Sequence, residues 1–356
     1  MHHKNTYCDG RPKPNLRCPV TNAGVVLKHG NGPNKCDIHG AREPVLTKAG
    51  DRFVLYYDGA GIDGWIACLA TSDNLLHWKL HGTALDLGSG DTPDSGSASS
   101  PWMIEHNQQW HMFYLATQNV TSDQYKIPNV PYLTCKAEAN APTGPWKKRY
   151  DVVPFNTKPG TYYSASASPG AIIQQGDEFI QYFSCSAFEP GSGVLKRSLG
   201  LAVTQDLNAP WMLAEQPLLP LDEQIENSSI VYDSKSQHWL LFTNHIGIHE
   251  IDEASLNTYC GERLLSEETT EEYTDAIWVY WSKDPKCWNP KNKAIVVDET
   301  SCDWCQRPIG MPSVTFADGR LALLFDAYPG NVTHHMYRDI GLVWLDLDTL
   351  RSFMKK

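Results

Sequence analysis

Two glutamates in this chain have the setting of working carboxyl groups. Glu43 lies between Arg42 and Pro44 and leads directly into an apolar stretch, and Glu226 precedes the segment Ile230–Tyr232 in a similar way. An unpaired carboxylate at the start of a buried strand is costly. Two carboxyl groups that face one another can cleave a glycosidic bond, because one protonates the leaving oxygen while the other attacks or activates water. The pair therefore indicates two-carboxylate hydrolysis.

Other polar residues recur at positions that would lie beside these glutamates. Asp275 could raise the pKa of Glu226 through like-charge repulsion and so keep it protonated. Inversion of the sugar requires a gap of about 6.5–9.5 Å between the two catalytic carboxyl groups, and retention requires about 5–5.5 Å; the sequence leaves this choice open. The residues expected to bind substrate are Arg42, Asp58, Asn244, His245, His335, Arg338 and Asp339.

Several of these assignments have a structural alternative. Glu43 could form an ion pair with the preceding arginine, and Glu226 could be an exposed loop acid. Asp275 could cap a turn and His335 could cap a loop. Asp339 could form a structural ion pair with the arginine before it. These alternatives stay open at the level of the sequence.

A repeated strand-turn-strand motif is expected to position these residues. Each copy continues with an apolar stretch, a Gly/Asp turn and an aromatic-rich strand, such as residues 53–57 in the first copy. Aromatic and β-branched residues between such turns indicate strands rather than helices. Equivalent positions of repeated units converge on one axis, so the residues that open the copies are expected to line one pocket. The copies begin at Glu43-Pro44, Ser100-Pro101, Ser168-Pro169, Asn227-Ser228 and Met311-Pro312.

The repeat predicts an all-β fold, namely a five-bladed β-propeller that forms a single domain over residues 1–356. The first four copies contain a fourth strand, and the fifth copy has none. A strand at Gly24–Lys28, after an N-terminal extension over residues 1–23, is expected to complete the last blade and remove the open sheet edges. Long loops, notably residues 246–274, are expected to build the ligand site.

Composition narrows the range of partners. The formal net charge of −11 argues against nucleic acid or an anionic membrane surface as the main partner. No apolar run approaches the length of a membrane span. An acidic chain with 11% aromatic residues is compatible with an oligosaccharide or polysaccharide substrate. The oligomeric state is not indicated.

Ten cysteines bear on the compartment. Cys302 and Cys305 resemble half of a zinc site, but no second pair has matching spacing, and a disulfide is the favoured interpretation. Disulfides are plausible for the loop cysteines in an oxidising compartment, so a secreted or periplasmic location is expected. The cysteines expected as buried strand thiols are Cys68, Cys135 and Cys185, and those in loops are Cys8, Cys18, Cys36, Cys260, Cys287, Cys302 and Cys305.

The Pro-led strand starts, the Tyr-Tyr-Asp-Gly strand end at residues 56–59 and the Ser-x-Asp-Leu-x-x-Trp closures resemble one group of enzymes. These are the five-bladed propeller glycoside hydrolases, the arabinanase/β-xylosidase-like family 43 and its relatives, and the resemblance covers most of residues 24–350. Such enzymes carry an Asp-Pro where this chain has Glu43-Pro44. They carry an auxiliary Asp and an acid Glu where it has Ser100 and Ser168. The departure moves the expected acid to Glu226 and leaves the substrate open.

The resemblance implies a glycoside hydrolase that removes a terminal sugar from a plant, algal or microbial glycan. Glu43 would be the base or nucleophile, Glu226 the acid and Asp275 a tuning residue. No cofactor or metal is required, although the resemblance allows a structural calcium near His335. Two alternatives stay open, a non-catalytic carbohydrate-binding propeller and a glycoside phosphorylase. The phosphorylase ranks last because no cluster of Arg and Lys marks the inner ring.

Overall fold

Aromatic and β-branched segments between Gly and Asp turns form strands along nearly the whole chain. The computed structural model describes residues 6, 12–191, 195–246, 274–330 and 335–355. Within these residues the chain forms twenty-two strands, two short 3-10 helices (Pro33–Lys35 and Leu221–Glu223) and one α-helix. The strands assemble into five antiparallel groups that follow one another along the sequence.

The first two groups are hydrogen-bonded to each other through a short parallel pairing. In this pairing Trp65 lies opposite Ser97 and Ile66 lies opposite Ala98, which joins eight strands into one sheet. After an N-terminal strand, β1 (Val20–Leu27), the strands of these two groups are β2 (Gly40–Ala49), β3 (Arg52–Ala60), β4 (Trp65–Ser72), β5 (Lys79–Leu85), β6 (Ser97–His106), β7 (Gln109–Thr117), β8 (Leu133–Ala139) and β9 (Lys147–Lys148).

The remaining groups form three separate sheets. The third group contains β10 (Ser166–Ser168), β11 (Ile172–Gln175), β12 (Glu178–Phe188), β13 (Leu195–Thr204) and β14 (Met212–Leu213). The fourth group contains β15 (Ile225–Asp233), β16 (His238–Ile246), β17 (Thr274–Ser282) and β18 (Lys293–Asp298). The fifth group contains β19 (Gln306–Ile309), β20 (Ser313–Ala317), β21 (Arg320–Tyr328) and β22 (Asp339–Leu345), together with β1.

The N-terminal strand β1 is the fourth strand of the fifth group. It pairs antiparallel with β22, from Val20 opposite Leu345 to Leu27 opposite Ile340. It begins at Val20, before the position that the sequence suggested. The residues just ahead of it also reach the fourth group, because the Cys18 amide donates to a carbonyl of β18 at 2.8 Å. The start of the described chain therefore holds the fourth and fifth groups together.

A C-terminal helix, α1 (Leu347–Phe353), follows β22 and was not predicted. Asp346 caps it by accepting hydrogen bonds from the amides of residues 348 and 349. Leu347 and Leu350 are buried against the fourth and fifth groups. Arg351 pairs with Asp233 of β15 at 2.8 Å. An N-cap aspartate followed by two leucines three residues apart is the helix signal in this segment.

The first strand of each group is interrupted at the position where the repeat begins. In β2, β6 and β15 the pairing register shifts there, and the residues at the shift, Glu43, Ser100 and Asn227, have positive φ angles of 49°, 44° and 56°. In the third and fifth groups the strand is divided, as β10 and β11 and as β19 and β20. Such bulges redirect side chains and are over-represented beside active sites.

The first strands of neighbouring groups contact each other. Strand β2 contacts β6, β6 contacts β11, β15 contacts β20, and β20 contacts β2; the third and fourth groups meet through β12 and β15. The interrupted strands of different groups therefore lie side by side.

Within the third group, a close approach near the interruption requires glycine, since a Cβ on Gly170 would lie 1.8 Å from the Tyr182 carbonyl oxygen.

The described cysteines divide into one disulfide and six thiols. Cys302 and Cys305 are disulfide-bonded, so this pair is not half of a zinc site. Cys8 and Cys260 lie outside the described residues. The thiol of Cys287 is exposed, that of Cys135 is half-buried, and the buried thiols are those of Cys18, Cys36, Cys68 and Cys185.

Alkylation of the native protein with iodoacetamide is expected to modify Cys287 and to spare Cys18 and Cys185. The thiolate is the reactive form, and burial raises the pKa of the Cys18 thiol to about 12 and also raises that of Cys185. Peptide mapping by mass spectrometry after a short exposure measures the outcome, with the denatured protein as the control in which all three react. Equal labelling of Cys185 and Cys287 in the native protein would contradict the described burial.

Candidate active site

A cleft of about 570 Å³ opens where the interrupted strands meet. Residues of the first four groups line it, together with the segment between β21 and β22. The lining residues are Arg42, Glu43, Asp58, Trp65, Ser99, Ser100, Leu115, Ile127, Pro128, Tyr132, Ser168, Pro169, Glu226, Asn227 and His335.

Both glutamates singled out from the sequence line this cleft. The side chains of Glu43 and Glu226 are each 20% exposed. Burial raises the pKa of Glu43, and the negative charge of Glu226 contributes to the same shift. Glu226, although far from Glu43 in sequence, therefore acts on it electrostatically within one cavity.

Glu43 is held by contacts from three sides. The Ser100 hydroxyl donates to Glu43 Oε2 at 2.6 Å, and the Glu43 amide donates to Asp326 Oδ1 at 3.1 Å. Arg42 Nη2 lies 3.8 Å from Glu43 Oε1. The ion pair with the neighbouring arginine therefore exists, but its distance is long and the shortest contact of the carboxyl group is with Ser100.

Arg42 and His335 form a supported pair at the edge of the cleft. Arg42 Nη1 lies 2.8 Å from His335 Nε2, and the guanidinium carbon lies 4.3 Å from the centre of the Trp65 ring. His335 stacks on the same indole at 6.1 Å between ring centres. The Trp65 N–H donates to the Tyr125 carbonyl at 2.9 Å. Trp65, which sequence analysis did not select, thus fixes Arg42 and His335 in the wall.

Asp58 is almost completely buried beneath Ser100. It accepts a hydrogen bond from the Ser100 amide at 2.5 Å, and its Oδ2 lies 2.8 Å from the Ser100 hydroxyl. Burial is the main reason that the pKa of Asp58 is raised well above its usual value, and the negative charge of Glu43 adds to the shift. Asp58 therefore belongs to the support of the cleft.

One contact between neighbouring groups recurs around the cleft. A side-chain oxygen at the end of a second strand accepts the backbone N–H of the bulge residue in the next group. This contact satisfies an amide that the bulge removes from the sheet ladder. The pairs, donor first, are Ser100 with Asp58, Asn227 with Ser184, and Glu43 with Asp326.

Glu226 is held by an arginine that sequence analysis did not include in the site. Arg197 of β13 is buried, and its Nη1 lies 3.4 Å from Glu226 Oε2. The Arg197 amide donates to the side chain of Gln224 at 2.7 Å. Arg197 lies near the start of the third strand of its copy, as Arg338 does in the fifth, and this similarity is the signal that could have identified it.

Arg338 and Asp339 lie behind the wall of the cleft. Arg338 Nη1 pairs with Asp326 at 2.9 Å in a fully buried contact, and its Nε donates to the His335 carbonyl at 3.0 Å. Asp339 contacts His29 Nδ1 at 2.7 Å. Neither is among the described residues that line the cleft. Arg338 supports His335 and Asp326, and Asp339 binds the segment that follows β1.

Asn244 and His245 are buried in β16, where Asn244 lies opposite Glu226 in the sheet. The His245 ring stacks on Trp278 with 4.3 Å between ring centres. Neither is among the described residues that line the cleft. The backbone of Asp275 lies in β17, and its side chain lies outside the described part of the chain, as do residues 247–273 of the long loop.

The surroundings of His335 do not fit calcium. Calcium binds about six to eight oxygen ligands. Here Arg42 and Arg338 place guanidinium groups beside the ring, and a guanidinium group carries positive charge and has no acceptor to offer a cation. Among the described residues no group of three or more His, Cys, Asp or Glu side chains could hold a metal ion.

Comparison of the fold identifies a set of enzymes with the same architecture. A glycoside hydrolase matches with a TM-score of 0.69 at 14% identity, covering 92% of each chain. A family 117 glycoside hydrolase from the marine bacterium Zobellia galactanivorans matches with a TM-score of 0.59 at 16% identity, covering 94% of this chain and 92% of that one. The α-L-arabinanase of Cellvibrio cellulosa matches with a TM-score of 0.57 at 14% identity, covering 88% and 97%.

The chain shares its fold with propeller glycoside hydrolases. The predicted resemblance is confirmed at the level of the fold, and the near all-β architecture is confirmed with it. No protein-family model and no curated protein matches the sequence. No described helix is long and apolar enough to cross a bilayer.

Proposed function

We propose that the protein is a glycoside hydrolase that uses Glu43 and Glu226 as its catalytic carboxyl groups. The observation that carries this proposal is their presence in one cleft of a fold shared with glycoside hydrolases. Most glycoside hydrolases cleave the glycosidic bond with two carboxyl groups of this kind. The fold supplies the cavity, and the two residues supply the chemistry.

The five groups of strands are the blades of a ring in this proposal. Contacts between β2 and β6, between β15 and β20, and between β20 and β2 support a circular arrangement. The pairing of β1 with β22 supports closure by the N-terminal strand. A ring of this kind leaves only short, protected sheet edges. It also brings the bulge residues of all five blades to one axis.

The environment suggests how the two carboxyl groups divide the work. Burial raises the pKa of Glu43, while the charge of Arg42 and the Ser100 hydrogen bond act against this rise and favour the ionised form, as a base or nucleophile requires. Two carboxyl groups that repel each other hold one proton more readily than either does alone. Glu226, oriented by Arg197, is the proton donor to the leaving oxygen. Asp275 has the proposed role of keeping Glu226 protonated through like-charge repulsion.

The proposed substrate is a terminal sugar of an oligosaccharide or polysaccharide. The Cellvibrio cellulosa arabinanase has been solved with arabinohexaose, which makes arabinose-containing glycans the first to test. Arg42 and His335 would bind sugar hydroxyls. Exo action is favoured when a cleft is closed on one side. The segments that carry Ile127 and His335 meet on one side of this cleft, through a 3.0 Å contact between the hydroxyls of Tyr125 and Tyr337, and this contact supports exo action. The Cys302–Cys305 disulfide supports a secreted or periplasmic location.

A panel of nitrophenyl glycosides and arabino-oligosaccharides tests the proposal. We expect release of a monosaccharide from at least one member, with the anomeric form of the first product, followed by NMR, distinguishing inversion from retention. Binding of glycans without turnover on the whole panel would instead indicate a carbohydrate-binding protein. Turnover that depends on added inorganic phosphate would indicate phosphorolysis.

A further inference from the structure

The Ser100 hydroxyl lies between two carboxyl groups. Its oxygen is 2.6 Å from Glu43 Oε2 and 2.8 Å from Asp58 Oδ2, both within hydrogen-bond distance. A serine hydroxyl has one proton and can fully donate it to one acceptor. If both carboxyl groups were ionised, one of these two short contacts would bring lone pairs together with no proton between them. One of the two carboxyl groups must therefore carry a proton.

The surroundings decide between the two carboxyl groups. Glu43 reaches the cleft with 20% of its side chain exposed, and Arg42 Nη2 lies 3.8 Å from its Oε1. Asp58 is 1% exposed, and among the described residues its hydrogen bonds come from Ser100 alone. A negative charge is less costly where water and a guanidinium group can reach it. The charge therefore belongs on Glu43 and the proton on Asp58.

We propose that Asp58 is protonated and donates to the Ser100 hydroxyl, which in turn donates to an ionised Glu43. The direction of donation is fixed by Asp58. Its Oδ1 accepts the Ser100 amide, so the proton of the carboxyl group lies on Oδ2, which faces the Ser100 hydroxyl. Asp58 and Ser100 are positioning residues: they hold Oε2 of Glu43, while Oε1 lies 3.8 Å from Arg42 Nη2. This role for Glu43 rests on the proposed glycosidase function, whereas the position of the proton does not.

The charges around Asp58 agree with this arrangement. Burial and the negative charge of Glu43 raise the pKa of Asp58, while Ser100 and the more distant Arg42 act in the opposite direction. From the neighbouring strand β4, the thiol of Cys68 stays neutral, because its hydrogen bond with Cys36 and its burial raise its pKa. Arg42 is the cationic group that acts on Asp58, but its short contact is with His335 and not with the Asp58 carboxyl group.

The variant Asp58→Asn reproduces a protonated Asp58. The carbonyl oxygen of the new side chain can accept the Ser100 amide, and its NH₂ group can donate to the Ser100 hydroxyl. A carboxyl group whose pKa is raised in the folded protein stabilises it fully below the unfolded pKa of about 3.9 and progressively less as the pH rises. An asparagine side chain does not titrate and has no such loss. The melting temperature of Asp58→Asn relative to wild type is therefore expected to increase between about pH 4 and pH 8.

Asp326→Asn is the matched control. Asp326 is equally buried, ends the second strand of its group and accepts the amide of the next bulge, but it is paired with Arg338 at 2.9 Å. This variant removes the charge that pairs with Arg338, so it should melt below wild type throughout this range of pH. A melting-temperature difference for Asp58→Asn that does not increase with pH would overturn the proposal.

Infrared spectroscopy locates the proton without a substrate. At pH 6 the wild-type protein should show a carboxylic acid C=O band that Asp58→Asn lacks. Retention of every such band in Asp58→Asn would place the proton elsewhere and overturn the proposal. If Asp58→Asn does not fold, ¹³C labelling of the aspartate carboxyl groups in the wild-type protein decides instead, because a band that does not shift with the label cannot come from Asp58. Because neither readout uses turnover, a protein without glycosidase activity would still give the answer.

Discussion

Replacing Glu43 with glutamine is expected to lower kcat on the best substrate of the panel by about 10²–10⁴-fold. The amide oxygen of the substituted side chain can still accept the Ser100 hydroxyl, so the bulge and the cleft keep their shape. The amide cannot act as a base or a nucleophile, and the transition state loses its ionised partner. Steady-state kinetics should show the loss in kcat, with KM changed by much less. Glu226→Gln should show a loss of similar size, most severe for substrates with poor leaving groups.

Glu105→Gln is the control for these substitutions. Glu105 lies in β6, the same strand as Ser100, but its side chain is exposed. The substitution removes the same charge from the chain without touching the cleft, and activity should stay at the wild-type level. Full activity of both Glu43→Gln and Glu226→Gln would show that the reaction, if any, occurs elsewhere on the molecule.

The largest effect on stability is expected for Arg338→Met. Methionine is a long, apolar side chain without the charged group of arginine. The substitution therefore leaves Asp326 without its ion-pair partner in a site with 0% exposure. Removing one partner of a buried ion pair costs about 3–5 kcal/mol in the free energy of unfolding. Activity should fall as well, because Asp326 holds the amide of Glu43 and Arg338 holds the carbonyl of His335.

Urea denaturation measures this free energy, and Arg52→Met is the matched control. Arg52 also pairs with an aspartate, Asp73, at 3.4 Å, but the two side chains are 66% and 82% exposed. Exposed ion pairs contribute little, so this variant should unfold close to wild type. An equal, small effect of both substitutions would mean that the Arg338–Asp326 pair does not hold the bulge of Glu43 in place.

The repeat made much of this fold readable from the sequence, since each copy pairs a turn signal with an aromatic strand. The same repeat placed Glu43 at the opening position of the first copy and Glu226 one residue before that position in the fourth, and so indicated a shared cavity. Sequence reasoning could not tell that Arg338 pairs with Asp326 and Asp339 with His29, so that neither lines the cleft. Which side chains near the start of a strand meet the cleft depends on the local register.

Ser100 shows the limit more sharply. In the comparison with family 43 it counted as a missing acid, because a serine alone carries no catalytic proton. Its contribution comes from its contacts with Glu43 and Asp58, which approach it from a neighbouring group of strands. Arg197 was missed for a related reason, since its partner Glu226 lies on another strand of a different group. Spacing along the chain carries no direct signal for such pairs.

The recurring amide contact has a consequence for how this scaffold can change. At each of these bulges the neighbouring group binds the backbone N–H, so the contact does not depend on the side chain of the bulge residue. Glutamate, serine and asparagine occupy the three positions with the same backbone conformation. A substitution at one of these positions could therefore introduce new reactivity while the backbone that orients the side chain stays unaltered.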